Sequence, residues 1–294
     1  MLVLASTTPI LIALGRAEAT GGWGANDVLL LLGIGLGSLV ALIVWEREAR
    51  EPIIPLRLFA NRIFAAASLI SFSTWMVMIA MIILIPLYFE LAAGMGPNDA
   101  GIRLIPMTSG TVLGSFIAGQ LVTRTGHYRI FPIIGAAAMT ILCATIAITG
   151  LGRSLPLDTA LTALLGISFG LQLHSVIVPV QNALELADTG IGLSTIMFFR
   201  LIGGAFGVAM LIAFLVGDLN AGALTVPGHD VLGANPGIAL LHLEQQQEIK
   251  PTLLAGLQSS VDSAFSHVFL YAATISALTM VVSFGLKEIP LRGG

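Results

Sequence analysis

Four side chains are polar where their surroundings are not. Glu90, Gln172, His174 and Arg200 each interrupt or close a long apolar run. A charge or a strong hydrogen-bonding group inside hydrocarbon is expensive, so each needs a physical reason. Glu90 sits beside Tyr88 at the end of an uncharged stretch. It is an interfacial carboxylate, a partner for Arg103 across the same turn, or a cavity carboxylate that holds a cation or a proton. His174 is either a hydrogen-bonded packing residue or, facing a water-filled cavity, a group that changes charge near neutral pH. Gln172 precedes it closely; Gln181 is about 180° away in helical projection, so the two glutamines need not share a face. Arg200 either anchors a helix end, paired with Glu185 or Asp188, or contacts a gate or a substrate.

Other chemistry is missing. The sequence contains no HExxH, no GxSxG, no P-loop and no cluster of metal-ligand type. No catalytic residue, metal, cofactor or nucleic-acid partner is therefore expected, and the protein is not read as an enzyme. Cys143 is the single cysteine, which excludes an intrachain disulfide, and it lies mid-run in a packing position.

The elements that hold these residues follow from composition. The chain has 294 residues, 56% hydrophobic and only 10% charged, with a mean hydropathy of +0.96. Soluble domains carry roughly 25% charged residues, so this is an all-α, polytopic membrane protein. Residues 104–123 and 130–152 carry no charge and flank a short basic turn containing Gly119, Arg124, Gly126 and Arg129. Each run is long enough to cross a bilayer at about 1.5 Å per residue. Further spans read as 28–45, 63–89, 159–184, 191–217 and 263–286, while 1–15 is a short, partial one. The chain opens inside that apolar run without a basic n-region, which reads as a start cut from something longer.

Loop sides must alternate. One side holds the connector 46–62, the turn at 123–129, the acidic turn at 185–190 and the tail. It carries Arg47, Arg50, Arg57, Arg62, Arg124, Arg129, Lys287 and Arg292. The other side carries Arg16, Arg103, Arg153 and Lys250, although it includes the long loop 218–262. The excess of Lys and Arg puts the first side, with the C-terminus, in the cytoplasm. Within that long loop, 240–257 reads as a short surface helix broken or started at Pro251. Small residues recur four apart at Gly110 and Gly114, Gly166 and Gly170, and Gly203 and Gly207. Such pairs let helix backbones approach closely, for packing alone or for sliding contacts.

The turn Gly119-x-Leu121-x-x-Arg124-x-Gly126-x-x-Arg129 resembles the loop signature of the major facilitator superfamily, G-x-L-x-D-R-x-G-R-R. Thr123 stands at the acidic position and His127 at the first basic one after the glycine, as in the degenerate second copy of that signature. Other stretches look like the fourteen-helix drug:proton antiporters, in order along the chain. They are the connector from Trp45 through Pro55 to Arg62, Pro86-Leu-Tyr88, Asp99 to Pro106, Val180 to Ala183, and Phe198 to Gly207.

The resemblance implies an architecture. Residues 1–45 would be the two linking helices and 46–62 a cytoplasmic connector. Residues 63–294 would be the six-helix second half, so the chain has about eight spans, the first partial. It also implies a role: multidrug efflux by proton antiport across the plasma membrane, moving small amphipathic organic molecules. A missing first half would be the partner. Glu90, Gln172, His174 and Arg200 would line the substrate or proton pathway, and the basic turn would be a conformational gate. Two other readings stand beside it: a half-transporter that pairs with itself or a separate first half, and a non-transporting membrane fragment.

Overall fold

A computed structural model describes residues 2–19, 26–48, 56–152, 154–224 and 251–288. Among them there is helix and no strand. Helix α1 (Leu2–Ala19) and helix α2 (Asn26–Glu48) form a hairpin, with Arg16 paired to Asp27 at 3.3 Å. A short 3-10 turn (Leu56–Ala60) leads into α3 (Arg62–Leu91). Asn61 caps α3: its side chain accepts the Ile63 N–H at 2.9 Å. The short α4 (Pro97–Ile102) precedes α5 (Ile105–Thr125). Gly126, at φ 73°, ends α5 in the left-handed conformation, and its N–H returns to Val122 O. Helix α6 (Ile130–Thr149) completes the hairpin read from the sequence.

The next span departs from its sequence reading as one helix over 159–184. It is α7 (Leu155–Ser175) and α8 (Ile177–Ala183), broken at Val176. Pro179 explains the break: its ring has no N–H to offer the carbonyl of residue 175 and collides with it. Helix α9 (Leu186–Ala223) and α10 (Pro251–Phe284) complete the bundle. Both reach into the stretch expected to be loop, so Asp218 and Asp262 are helical residues. Pro251 starts α10, where a missing N–H costs nothing; residues 240–250 of the expected surface helix lie outside the described residues. So do Arg50, Arg153, Lys250 and Arg292. Among the described residues seven helical segments, counting α4–α5 and α7–α8 as one each, are long and apolar enough to cross a membrane.

The last six spans pack as interleaved pairs: α3 on α9, α5 on α7–α8, and α6 on α10. Taking α3, α5 and α6 as one triplet and α7–α8, α9 and α10 as another, exchange of the triplets maps α3·α9 onto α7·α5. The glycine pairs obey the same exchange. Gly110 and Gly114 of α5 face the carbonyls of Ala163 and Ile167 on α7. Gly203 and Gly207 of α9 face those of Phe72 and Met76 on α3. Gly166 and Gly170 return the contact from α7, against the carbonyls of Met107 and Thr111. At all six positions a side chain would drive into backbone.

Within the last six spans the buried apolar residues fall into two clusters, while Ala13 and Val28 form a small third one between α1 and α2. One, near the basic turn, includes Phe64, Ile70, Tyr128, Val180 and Ile196; the other includes Val77, Leu84, Cys143, Phe169 and Phe265. Between them, at mid-depth, lie the glycines above and the buried polar residues Ser71, Thr74, Gln172, Arg200, Ser276 and Thr279.

A Gly166→Ala change should destabilise the folded bundle by about 1–3 kcal/mol, because the neighbour is rigid backbone. Gly119→Ala should be neutral or slightly stabilising, since nothing lies near a β-carbon there. Denaturant titration of both variants in detergent measures the difference.

Candidate functional site

The mid-depth layer is built around Arg200, only 6% exposed. Its Nη2 donates to the Leu173 carbonyl at 2.8 Å, and its guanidinium carbon lies 5.7 Å from the centre of the Trp75 ring. Leu173 is in the last turn of α7, where carbonyls lack N–H partners from their own helix. The break at Val176 therefore exposes the acceptor that the arginine uses, at the electronegative end of a helix. The Arg200 Nε is buried without a hydrogen-bond partner.

Gln172 joins the same cluster and is 2% exposed. Its Oε1 accepts from the Thr74 hydroxyl at 2.9 Å, and its Nε2 donates to Ser168 O at 3.2 Å. Ser71, Thr74, Trp75, Gln172, Leu173 and Arg200 line one narrow cleft where α3, α7 and α9 meet. The Ser71 hydroxyl is also buried without a partner. Such a layer offers donors, an acceptor and an aromatic face inside an otherwise apolar bundle.

Glu90 is not part of it. It sits in the last turn of α3, about 24 Å beyond Thr74 along the helix, because one continuous helix carries both. The structure thus brings Gln172 and Arg200 together and leaves Glu90 at the far end; the His174 side chain lies outside what the structure describes. Arg200 does not pair with Glu185 or Asp188, since Asp188 is bound to Arg57. Arg103 does not pair with Glu90 either. It lies 3.9 Å from Asp158, which also accepts the Gly152 N–H at 3.1 Å, and stacks over Phe89. Asp158 lies in the first turn of α7 and was missed in the sequence; the signal that could have found it is an acid two residues after Pro156, as at a helix start.

The basic turn is fastened to the last helix. The Tyr128 hydroxyl donates to Lys287 O at 2.9 Å, and Arg129 Nη2 donates to Phe284 O at 2.6 Å. Tyr128 is fully buried, whereas Arg124 is exposed and a β-carbon on Gly119 would meet open space. Nearby, Asn61 Nδ2 reaches Ala183 O at 3.1 Å. The connector, the turn, the α8–α9 corner and the end of α10 therefore share one end of the bundle.

A bundle of apolar spans with a broken helix and a polar layer at mid-depth is a membrane-transporter architecture. A solved bacterial homolog of the human lysosomal transporter Spinster, inward-facing and unoccupied, superposes with TM-score 0.60 at 15% identity. That match covers 100% of this chain and 70% of the other. No family model matches the chain. An uncharacterized MFS-type transporter of Mycobacterium tuberculosis is 30% identical over 99% of this chain and 42% of its own length. The multidrug transporter protein MdtP of Bacillus subtilis is 29% identical over 97% of this chain and 52% of its own length. A tetracycline resistance determinant of Streptomyces rimosus is 27% identical over 78% and 67%, respectively. Over nearly its whole length the chain is thus similar to proteins named as members of the major facilitator superfamily, a family of multi-pass carriers rather than enzymes. It spans about half the length of the first two of these relatives.

Tyr128→Phe should lower stability by about 1 kcal/mol, the net worth of one buried hydrogen bond. Arg124→Gln, on the exposed side of the same turn, should leave stability unchanged. Thermal unfolding of the purified variants in one detergent checks the pair.

Proposed function

We propose that the chain is the second half of an efflux transporter that exports small amphipathic organic molecules in exchange for protons. The observation that carries the reading is the mid-depth layer of Gln172, Thr74, Trp75 and Arg200, made by a broken helix between two apolar clusters. In an alternating-access carrier, two bundles rock about a midplane site. This chain supplies one bundle and half of such a site. The names of the relatives, multidrug transporter and tetracycline resistance determinant, support export as the direction. Proton exchange rests on the resemblance of the loop signatures.

In this reading Arg200 and Gln172 meet the polar part of the substrate, and Trp75 meets its apolar body. Glu90 and His174 remain candidates for the proton path. The connector, the basic turn and the C-terminus face the cytoplasm, because that end holds Arg57, Arg124, Arg129 and Lys287. The membrane is then the plasma membrane.

The test compares the chain alone with the chain fused behind the first six helices of a relative. Both are placed in everted membrane vesicles, and proton-driven uptake of a fluorescent dye is read. The fusion should transport and the chain alone should not. Arg200→Gln in the fusion should cut the rate by about tenfold or more, with unchanged protein level. Robust transport by the chain alone would overturn the half-transporter reading.

A further inference from the structure

The described residues enclose a second cavity, of about 360 Å³, far from the mid-depth layer. It lies at the end of the bundle opposite the basic turn, where the C-terminal ends of α3 and α6 meet α10. Its size is within the range of small-molecule sites. Tyr88, Ile148, Asp262, Ser266 and Phe269 form its working surface.

Among the described residues that line this cavity, Asp262 is the one charged side chain. The Asp262 carboxylate accepts only a long hydrogen bond from the Tyr88 hydroxyl, at 3.4 Å. Among the described residues no cation pairs with it; Arg103 is held by Asp158 and Phe89. Helix α3 ends at Leu91 and α6 at Thr149, and the residues just past both ends line the cavity. The C-terminal end of a helix carries about half a negative charge. Two helix ends and a carboxylate therefore converge on one space.

The walls add a shape. Tyr88 and Phe269 pack with ring centroids 6.3 Å apart and back the wall, 5% and 1% exposed, so the apolar surface open to a ligand is that of Ile148. Ser266 spends its hydroxyl on the Ala147 carbonyl at 2.7 Å and so adds no competing donor. Ile148 at the rim is 80% exposed, so the mouth opens on the perimeter of the bundle, where lipid would lie.

We infer that this cavity is a peripheral binding site for a monovalent ammonium group carried on an apolar body. The ammonium sits against Asp262, and the body lies over Ile148 at the mouth. Two sources share that chemistry: a free amphipathic amine, and the headgroup of a phosphatidylethanolamine lipid. The site is separate from the mid-depth layer and does not depend on transport.

The experiment measures binding of benzyltrimethylammonium to the purified full chain by calorimetry, with no proton gradient. Neopentylbenzene, its uncharged isostere, is the control. The cation should bind and the isostere should not. Asp262→Asn should weaken binding at least about tenfold, and Asp262→Glu should retain most of it. Arg200→Gln should leave the affinity unchanged, which separates this site from the proposed transport site. Circular dichroism establishes that each variant is folded. A second arm repeats the titration in phosphatidylglycerol nanodiscs with and without phosphatidylethanolamine. Competition by phosphatidylethanolamine identifies the lipid headgroup as the occupant, and no competition identifies the free amine. Equal affinity of wild type and a folded Asp262→Asn, or equal binding of the uncharged isostere, would refute the site.

Discussion

A guanidinium held in the middle of an apolar bundle is the constraint from which the rest of this structure follows. An unpaired buried charge is worth many kcal/mol of lost solvation. Among the described residues Arg200 meets no carboxylate; it uses the Leu173 carbonyl, the Met197 sulfur at 3.9 Å and the face of Trp75. The carbonyl is available only because α7 stops at Ser175. Pro179 stops it. One proline in one helix thus decides whether an arginine in the next can sit at mid-depth, and Trp75 in a third helix completes its surroundings.

Around that layer, contact is made by backbone rather than by side chains. Lipid tails are as apolar as leucine, so helices in a membrane gain little from burying apolar area and more from close packing. Six glycines bring carbonyls and α-carbons together across α5·α7 and α3·α9. The two interfaces are related by exchange of the triplets but are not equal. On α5·α7 both helices contribute glycines, while on α3·α9 only α9 does, and α3 presents Phe72 and Met76 there. Equivalent positions thus carry two different surfaces, a smooth one and a bulkier one.

Much of this was legible in the sequence, where local rules decide. The spacing of Gly110, Gly114, Gly166, Gly170, Gly203 and Gly207 gave the close contacts, and the uncharged runs gave the spans. Gly126 marked the turn. The partners of the charges were not legible. Arg200 meets a carbonyl and not Asp188, and Arg103 meets Asp158 and not Glu90. Those choices depend on how helices cross and rotate, which sequence neighbours do not encode. Glu90 and Thr74 share a helix, so their separation could have been read from length alone. Asp262 was hidden for a different reason: it was assigned to a polar loop, and only the helical start at Pro251 brings it beside Tyr88.

The grip of Tyr128 and Arg129 on the end of α10 joins positions 155 residues apart for the arginine. During synthesis the turn is made long before the carbonyl it will hold. At about 5–20 residues per second, roughly 8–30 s pass before Phe284 leaves the ribosome. Through that interval the Tyr128 hydroxyl and the Arg129 guanidinium face water or lipid headgroups, and the bundle lacks the helix that closes it. Insertion of the final helix is the step that closes the bundle. A ribosome stall in the long connection before it would leave a membrane-embedded intermediate with this basic turn still accessible to proteases.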